Sequence, residues 1–80
     1  MDKDEIVNLL TKELAQQLDD VDEEMLDPEL SMRDFGANSL DVIEVVTSVM
    51  RQLGIKIPRS QLADIETING LADKFAEHVD

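Results

Sequence analysis

Few residues in this chain have reactive side chains. Cysteine, tyrosine and tryptophan are absent, and the one histidine is His78. Attention falls on Asp34-Phe35-Gly36-Ala37-Asn38-Ser39-Leu40-Asp41, where a glycine punctuates the end of a loop and an apolar periodic run begins just after it. Asn and Ser are preferred at the start of helices because their side chains accept from first-turn N–H groups. Ser39 is therefore expected at or beside a helix N-terminus. The unpaired N–H groups and positive dipole there favour an anion such as a phosphate, and a phosphodiester on the Ser39 hydroxyl would lie in that field. The residues alone leave a second reading open, in which Asn38 and Ser39 are helix caps and nothing more.

Catalysis by Ser39 would need a base. His78 lies near the opposite end of the chain, and no Gly-X-Ser-X-Gly elbow is present. A non-catalytic protein is expected. The carboxylates of 19–24 could be taken for a calcium loop, which needs glycine at position six and glutamate at position twelve. Counted from Asp19 these positions hold Glu24 and Leu30; counted from Asp22 they hold Asp27 and Arg33. Neither register works, so the acids read as a solvated loop and no metal site is expected.

The elements that place Ser39 are helical. Asp2, with Glu5 three residues on, opens a first helix over 3–18, whose stripe is Ile6, Leu9, Leu10, Leu14 and Leu18. A second helix over 39–53 carries Val42, Val45, Val46, Val49, Met50 and Leu53 on one side, and Gly54 follows as a left-handed cap. Thr67 caps a last helix reaching to about 79, with Ile68, Leu71, Ala72, Phe75, Ala76 and Val79 as its stripe. Ile55-Lys56-Ile57-Pro58 reads as an extended link, and 60–65 as one helical turn. Segment 19–38 has no period, yet Val21, Met25, Leu26, Leu30, Met32 and Phe35 are scattered through it. A loop this long is uncommon unless it works or packs, and these residues are expected to pin it across the helices. The expected fold is all-α: a small bundle of three main helices plus one short helix, with a long loop between the first two.

Eighty residues allow one domain, 1–80, with a core too small for a deep water-excluding active site. That favours a carrier or binding module. The net charge is −12, from 19 acidic and 7 basic residues. Nucleic acid is excluded as a partner, since phosphate binding needs a basic surface; an anionic membrane would repel the chain too. Proteins with basic patches are the natural partners. Apolar runs are two or three residues long, and Met1-Asp2-Lys3-Asp4-Glu5 is not a secretory leader. A discrete, monomeric, cytoplasmic protein is expected.

Asp34-Phe35-Gly36-Ala37-Asn38-Ser39-Leu40 resembles the phosphopantetheine attachment motif of acyl carrier proteins, commonly Asp-Leu-Gly-X-Asp-Ser-Leu. The resemblance covers essentially the whole chain: length, acidity, long first loop, the helix after the serine, Gly54-Ile55-Lys56-Ile57-Pro58 and the short helix after it. It implies that Ser39, flanked by Asn38 and Leu40, carries 4'-phosphopantetheine, transferred from coenzyme A by a Mg²⁺-dependent phosphopantetheinyl transferase. The thiol of that arm holds acyl or malonyl-type groups as thioesters, which explains thiol chemistry in a chain without cysteine. Two positions depart from the common motif. Phe35 replaces leucine, a conservative change. Asn38 replaces an aspartate that could help order the metal, which puts transferase choice in question. Asn here is similar to free-standing polyketide carriers that serve β-branching enzymes. Fatty-acid synthesis, or an unmodified interaction domain of the same fold, are the alternative readings.

The resemblance also makes the second helix the recognition surface. Leu40 and Ile43 lie off its core stripe beside Asp41 and Glu44, and Thr47 extends the patch. Exposed apolar residues framed by acid suit a transient interface. The partners implied are acyltransferase, ketosynthase or HMG-CoA-synthase-like enzymes with basic docking patches. Asp41→Lys or Glu44→Lys is expected to slow acyl loading by a partner while the fold stays intact.

Overall fold

The computed structural model describes residues 2–79; Met1, first of the charged N-terminal segment, and Asp80 lie outside them. Three α-helices form: α1, Lys3–Gln17; α2, Ser39–Leu53; and α3, Ile68–His78. Each starts where its cap residue places it. Asp2 Oδ1 accepts from the Glu5 N–H at 2.9 Å, and Thr67 Oγ1 accepts from the Gly70 N–H at 3.0 Å. Leu18 and Val79, expected inside helices, are their C-caps. α2 ends at Gly54, whose φ of 68° is the left-handed geometry that glycine adopts without steric cost.

The three apolar stripes meet in one core. Ile6, Leu10 and Leu14 of α1, Val45, Val46 and Val49 of α2, and Ile68, Leu71, Ala72 and Phe75 of α3 are buried. α1 packs on both α2 and α3. Polar contacts decorate the rim: Gln52 Nε2 donates to Glu13 Oε1 at 2.7 Å, and Lys3 Nζ lies 2.9 Å from Asp73 Oδ1. Exposed pairs of this kind contribute at most about 1 kcal/mol each, so the stripes carry the fold. No helix among the described residues is long and apolar enough to cross a membrane.

The long loop is more ordered than its lack of period implies. It holds two 3₁₀ turns, Glu23–Met25 and Met32–Phe35. Leu26, Met32 and Ala37 are buried, and Val21 and Phe35 pack partly against the core. Its backbone is stitched to the start of α3: the Asn69 N–H donates to Pro28 O at 3.0 Å, and the Met32 N–H to Glu66 O at 2.8 Å, beside an isolated antiparallel bridge between Ser31 and Thr67. Met25 and Leu30 were expected to pin the loop and do not. They are 58% and 46% exposed, because the 3₁₀ turn and the bend after Asp27 aim them outward while Leu26, between them, reaches the core.

The short helix expected over 60–65 is instead a 3₁₀ turn, Arg59–Gln61, followed by a turn closed by the Ile65 N–H on Leu62 O at 3.1 Å. Arg59, Ser60 and Gln61 are exposed, and only Leu62 and Ile65 turn inward. An apolar pair three residues apart suits 3₁₀ spacing and is too little to bury a full α-helical face. Ile57, just before it, is buried, and its N–H donates to Met50 Sδ at 3.2 Å.

Phe75 is fully buried and the largest side chain of the core. A domain of this length is stable by about 4–12 kcal/mol, and Phe75→Ala is expected to remove about 3–5 kcal/mol of that. Urea denaturation followed by circular dichroism should show a large fall in midpoint, or a chain already unfolded in buffer.

Candidate functional site

The corner into α2 is built by four residues. After the Met32–Phe35 turn, Gly36 takes φ 94° and ψ 3°, a left-handed geometry that residues with a Cβ adopt only at a cost. The next residue, Ala37, is buried. Asn38 is the N-cap: its Oδ1 accepts from the Asp41 N–H at 2.9 Å, while Asp41 Oδ2 accepts from the Asn38 N–H at 3.0 Å. Ser39 is thereby the first residue of the helix.

This reciprocal box has a chemical consequence. A helix starts with four N–H groups that no helical carbonyl accepts. The box takes those of Asn38 and Asp41. The N–H groups of Ser39 and Leu40 have no acceptor among the described residues, and both residues are exposed. The Ser39 hydroxyl stands beside them, and Arg33 Nη2 donates to its Oγ at 3.4 Å. In a chain of net charge −12, this hydroxyl has a guanidinium as its neighbour. An anion esterified to Ser39 would meet a cation and two unpaired N–H donors, so the surroundings fit a phosphodiester.

Ser39 also stands at the wall of a cavity of about 350 Å³. α2 supplies Val42, Ile43, Val46 and Met50 to it, and Leu62 and Ile65 face them from the opposite segment. Of the valines of α2, Val45 and Val49 are spent on the core instead. Arg33 and Glu66 also line the cavity, and Arg33 Nε lies 3.8 Å from Glu66 Oε1. A space of this size with mostly apolar walls can take a short hydrocarbon chain or part of a flexible arm.

The residues expected to recognise partners divide. Leu40 is 69% exposed, the most open of the large apolar side chains among the described residues. Glu44 and Thr47 are exposed as well. Ile43 is half-buried and lines the cavity, so it belongs to the cavity wall as much as to the outer face. Asp41 departs from expectation. Its Oδ2 closes the cap on Asn38, and its Oδ1 accepts from Gln17 Nε2 at the end of α1 at 3.2 Å. It holds the corner together, so Asp41→Lys is expected to weaken the fold as well as change the outer face. Asn38 followed by Asp41 carried the signal, a cap residue with an acid three positions on. Arg33 and Glu66 had no such signal, because nothing in local spacing brings positions 33, 39 and 66 together.

A helical corner that presents one hydroxyl to solvent beside a guanidinium and two unpaired N–H groups suits a carrier of a phosphate-linked group. The chain belongs to the acyl carrier protein family: the family model described as a phosphopantetheine attachment site matches residues 8–75. Its prosthetic group is covalently attached 4'-phosphopantetheine, and the protein is a non-catalytic carrier. It is 33% identical over 79 residues to the polyketide biosynthesis acyl-carrier-protein AcpK of Bacillus subtilis (strain 168), covering 99% of this chain and 96% of that one. It is 34% identical over 79 residues to an acyl carrier protein of Rubrobacter xylanophilus, covering 98% and 96%. Among solved structures, it matches a chain of the crystal structure of the curacin biosynthetic pathway HMG synthase in complex with acetyl donor-ACP. The TM-score is 0.85 and the identity 30%, over 96% of this chain and 99% of that one.

Because Asp41 closes the cap, Asp41→Lys is expected to cost about 1 kcal/mol and lower the melting temperature by roughly 4–8 °C. Glu44→Lys, on the exposed face, is expected to stay within about 0.5 kcal/mol of the parent. Thermal unfolding of the two variants side by side separates the positions.

Proposed function

We propose that Ser39 is the residue that carries the phosphopantetheine arm, installed from coenzyme A by a Mg²⁺-dependent phosphopantetheinyl transferase, and that residues 1–80 act as one free-standing carrier domain. The observation that carries this reading is the Ser39 hydroxyl itself: exposed, first in α2, beside two unpaired N–H groups and within 3.4 Å of a guanidinium. It needs no base of its own, since the transferase activates it. When bound, the arm supplies a thiol that holds an acyl group as a thioester. The chain's residues do the rest. The box of Asn38 and Asp41 orients the corner, Arg33 offers positive charge, and the cavity beside α2 offers apolar walls to a short acyl group.

The pathway we propose is polyketide synthesis, with the protein serving as an acetyl- or malonyl-type donor carrier for β-branching. Three features support it. A full-length relative is a polyketide carrier. The solved structure most relevant here pairs an acetyl donor carrier with an HMG synthase, and the 99% coverage of the matched chain makes that chain one of this size. Asn38 takes the place of the aspartate of the common motif. Partners would then be the transferase, an acyltransferase or ketosynthase, and an HMG-CoA-synthase-like enzyme with a basic docking patch. Leu40, Glu44 and Thr47 offer the outer face of α2 to them, with Ile43 at its edge. A monomer in the cytoplasm suits this role.

Intact-protein mass spectrometry tests the assignment. After incubation with coenzyme A, Mg²⁺ and a broad-specificity transferase, the chain should gain the mass of one phosphopantetheine group. Ser39→Ala should gain none. An unchanged mass in folded protein, beside a working positive control, would refute Ser39 as the attachment point. For the docking face, Glu44→Lys is expected to slow acyl transfer to or from a partner roughly three- to tenfold at low salt, with the gap closing as salt rises. Rates that match the parent at every ionic strength would remove Glu44 from the interface.

A further inference from the structure

Arg33 has a backbone held still and a side chain held loosely. Its residue sits in the Met32–Phe35 turn, its N–H is bonded to Ser31 Oγ at 3.2 Å, and the neighbouring Met32 side chain is buried. The Arg33 side chain is 64% exposed and divides its contacts. Nη2 reaches Ser39 Oγ at 3.4 Å, the long limit of a hydrogen bond, and Nε stands 3.8 Å from Glu66 Oε1. Neither contact is strong. The first is to a neutral hydroxyl, and the second is an exposed ion pair beyond hydrogen-bond distance. Glu66 is itself 60% exposed.

We propose that Glu66 is only the resting partner of Arg33, and that Arg33 transfers to the phosphodiester once Ser39 carries its arm. This rests on the assignment of Ser39 above. The reasoning is one of geometry and charge. A phosphodiester joined to Oγ places its non-bridging oxygens next to an atom the guanidinium already touches. Both it and the Glu66 carboxylate carry one negative charge, so proximity and shape decide. Guanidinium N–H groups match a phosphate in pairs, in a charge-assisted contact stronger than one to a hydroxyl. Glu66, at 3.8 Å, offers a looser alternative. Arg33 and Glu66 both line the cavity beside α2, and the bond from the Met32 N–H to Glu66 O keeps their backbones joined whichever partner the guanidinium takes.

The experiment compares unmodified and phosphopantetheinylated protein, with loading verified by mass. ¹⁵N spectra report the Arg33 Nε–H resonance, identified by its loss in Arg33→Gln. It should move on loading at low salt and return part of the way in about 1 M NaCl, where charges are screened within a few ångströms. Urea denaturation should show loading raising the folding equilibrium constant roughly two- to fivefold in the parent, the range of an exposed charge pair. That gain should vanish in Arg33→Gln and grow in Glu66→Gln, where no carboxylate competes. The opposite signs of the two variants separate this from a general loss of stability. Complete loading with an unmoved Arg33 resonance, and with the same gain in parent and both variants, overturns the proposal alone. Failure of Ser39 to accept the arm overturns the assignment beneath it, and the proposal with it.

Discussion

Access to the Ser39 hydroxyl depends on how the chain turns into α2. Gly36 supplies the left-handed step, Ala37 is pressed into the core, and Asn38 and Asp41 exchange hydrogen bonds at 2.9 and 3.0 Å. Were the box absent, the first turn would be held by water or would fray, and Ser39 would lose a defined position. With it, two donors are consumed and two are left, and those two belong to the serine and the residue after it. The same four residues therefore stop the loop, start the helix and make the local field. Gln17 adds a fifth hold by donating to Asp41 from the end of α1, which ties the corner to the rest of the bundle.

A bundle of three short helices cannot close one side of its own core, and the long loop does that work. Leu26 and Met32 fill what the helices leave open. The backbone bonds from Asn69 to Pro28 and from Met32 to Glu66 then bind the loop to the start of α3 and the segment before it. That same segment faces α2 across the cavity. The 3₁₀ turn at Arg59–Gln61 and the turn after it are held by few apolar contacts and by exposed backbone. Regions of that kind open at the lowest free-energy cost in a domain. The cavity thus has one rigid wall, α2, and one wall that can give.

The helices were legible in the sequence because their information is local. Stripes at 3.6 spacing and caps such as Asp2, Thr67 and Gly54 placed the boundaries within a residue. The place of Ser39 as first helical residue was legible through the cap at Asn38. What spacing could not reveal depends on contacts between distant positions. Met25 and Leu30 look as apolar as Leu26 and Met32, yet only the latter pair is buried, since a loop has no period to say which side chains face inward. Asp41 reads as one of two acids on the outer face of α2 until its two carboxylate oxygens are seen to be occupied. Arg33 is six residues before Ser39, and Glu66 twenty-seven after it. Their meeting is a product of the stitched loop.

The distribution of charge resolves an apparent conflict in this chain. Strong negative charge recruits basic partners and speeds their encounter, but it would also repel an anionic group attached at Ser39. The site answers this locally. Arg33 stands against the hydroxyl, and position 38 carries an amide where the common motif has a carboxylate. Asn and Asp cap a helix about equally well, so the cap does not require the neutral residue. Its effect is instead to keep one negative charge off the residue beside Ser39. Asp41 is the acid nearest in sequence on the helix, and its oxygens are turned to the Asn38 N–H and to Gln17. The other acid of α2, Glu44, faces outward a turn later. On the assignment of Ser39 proposed above, a guanidinium against the hydroxyl and an amide at position 38 lessen the repulsion that a phosphodiester would meet on an anionic surface.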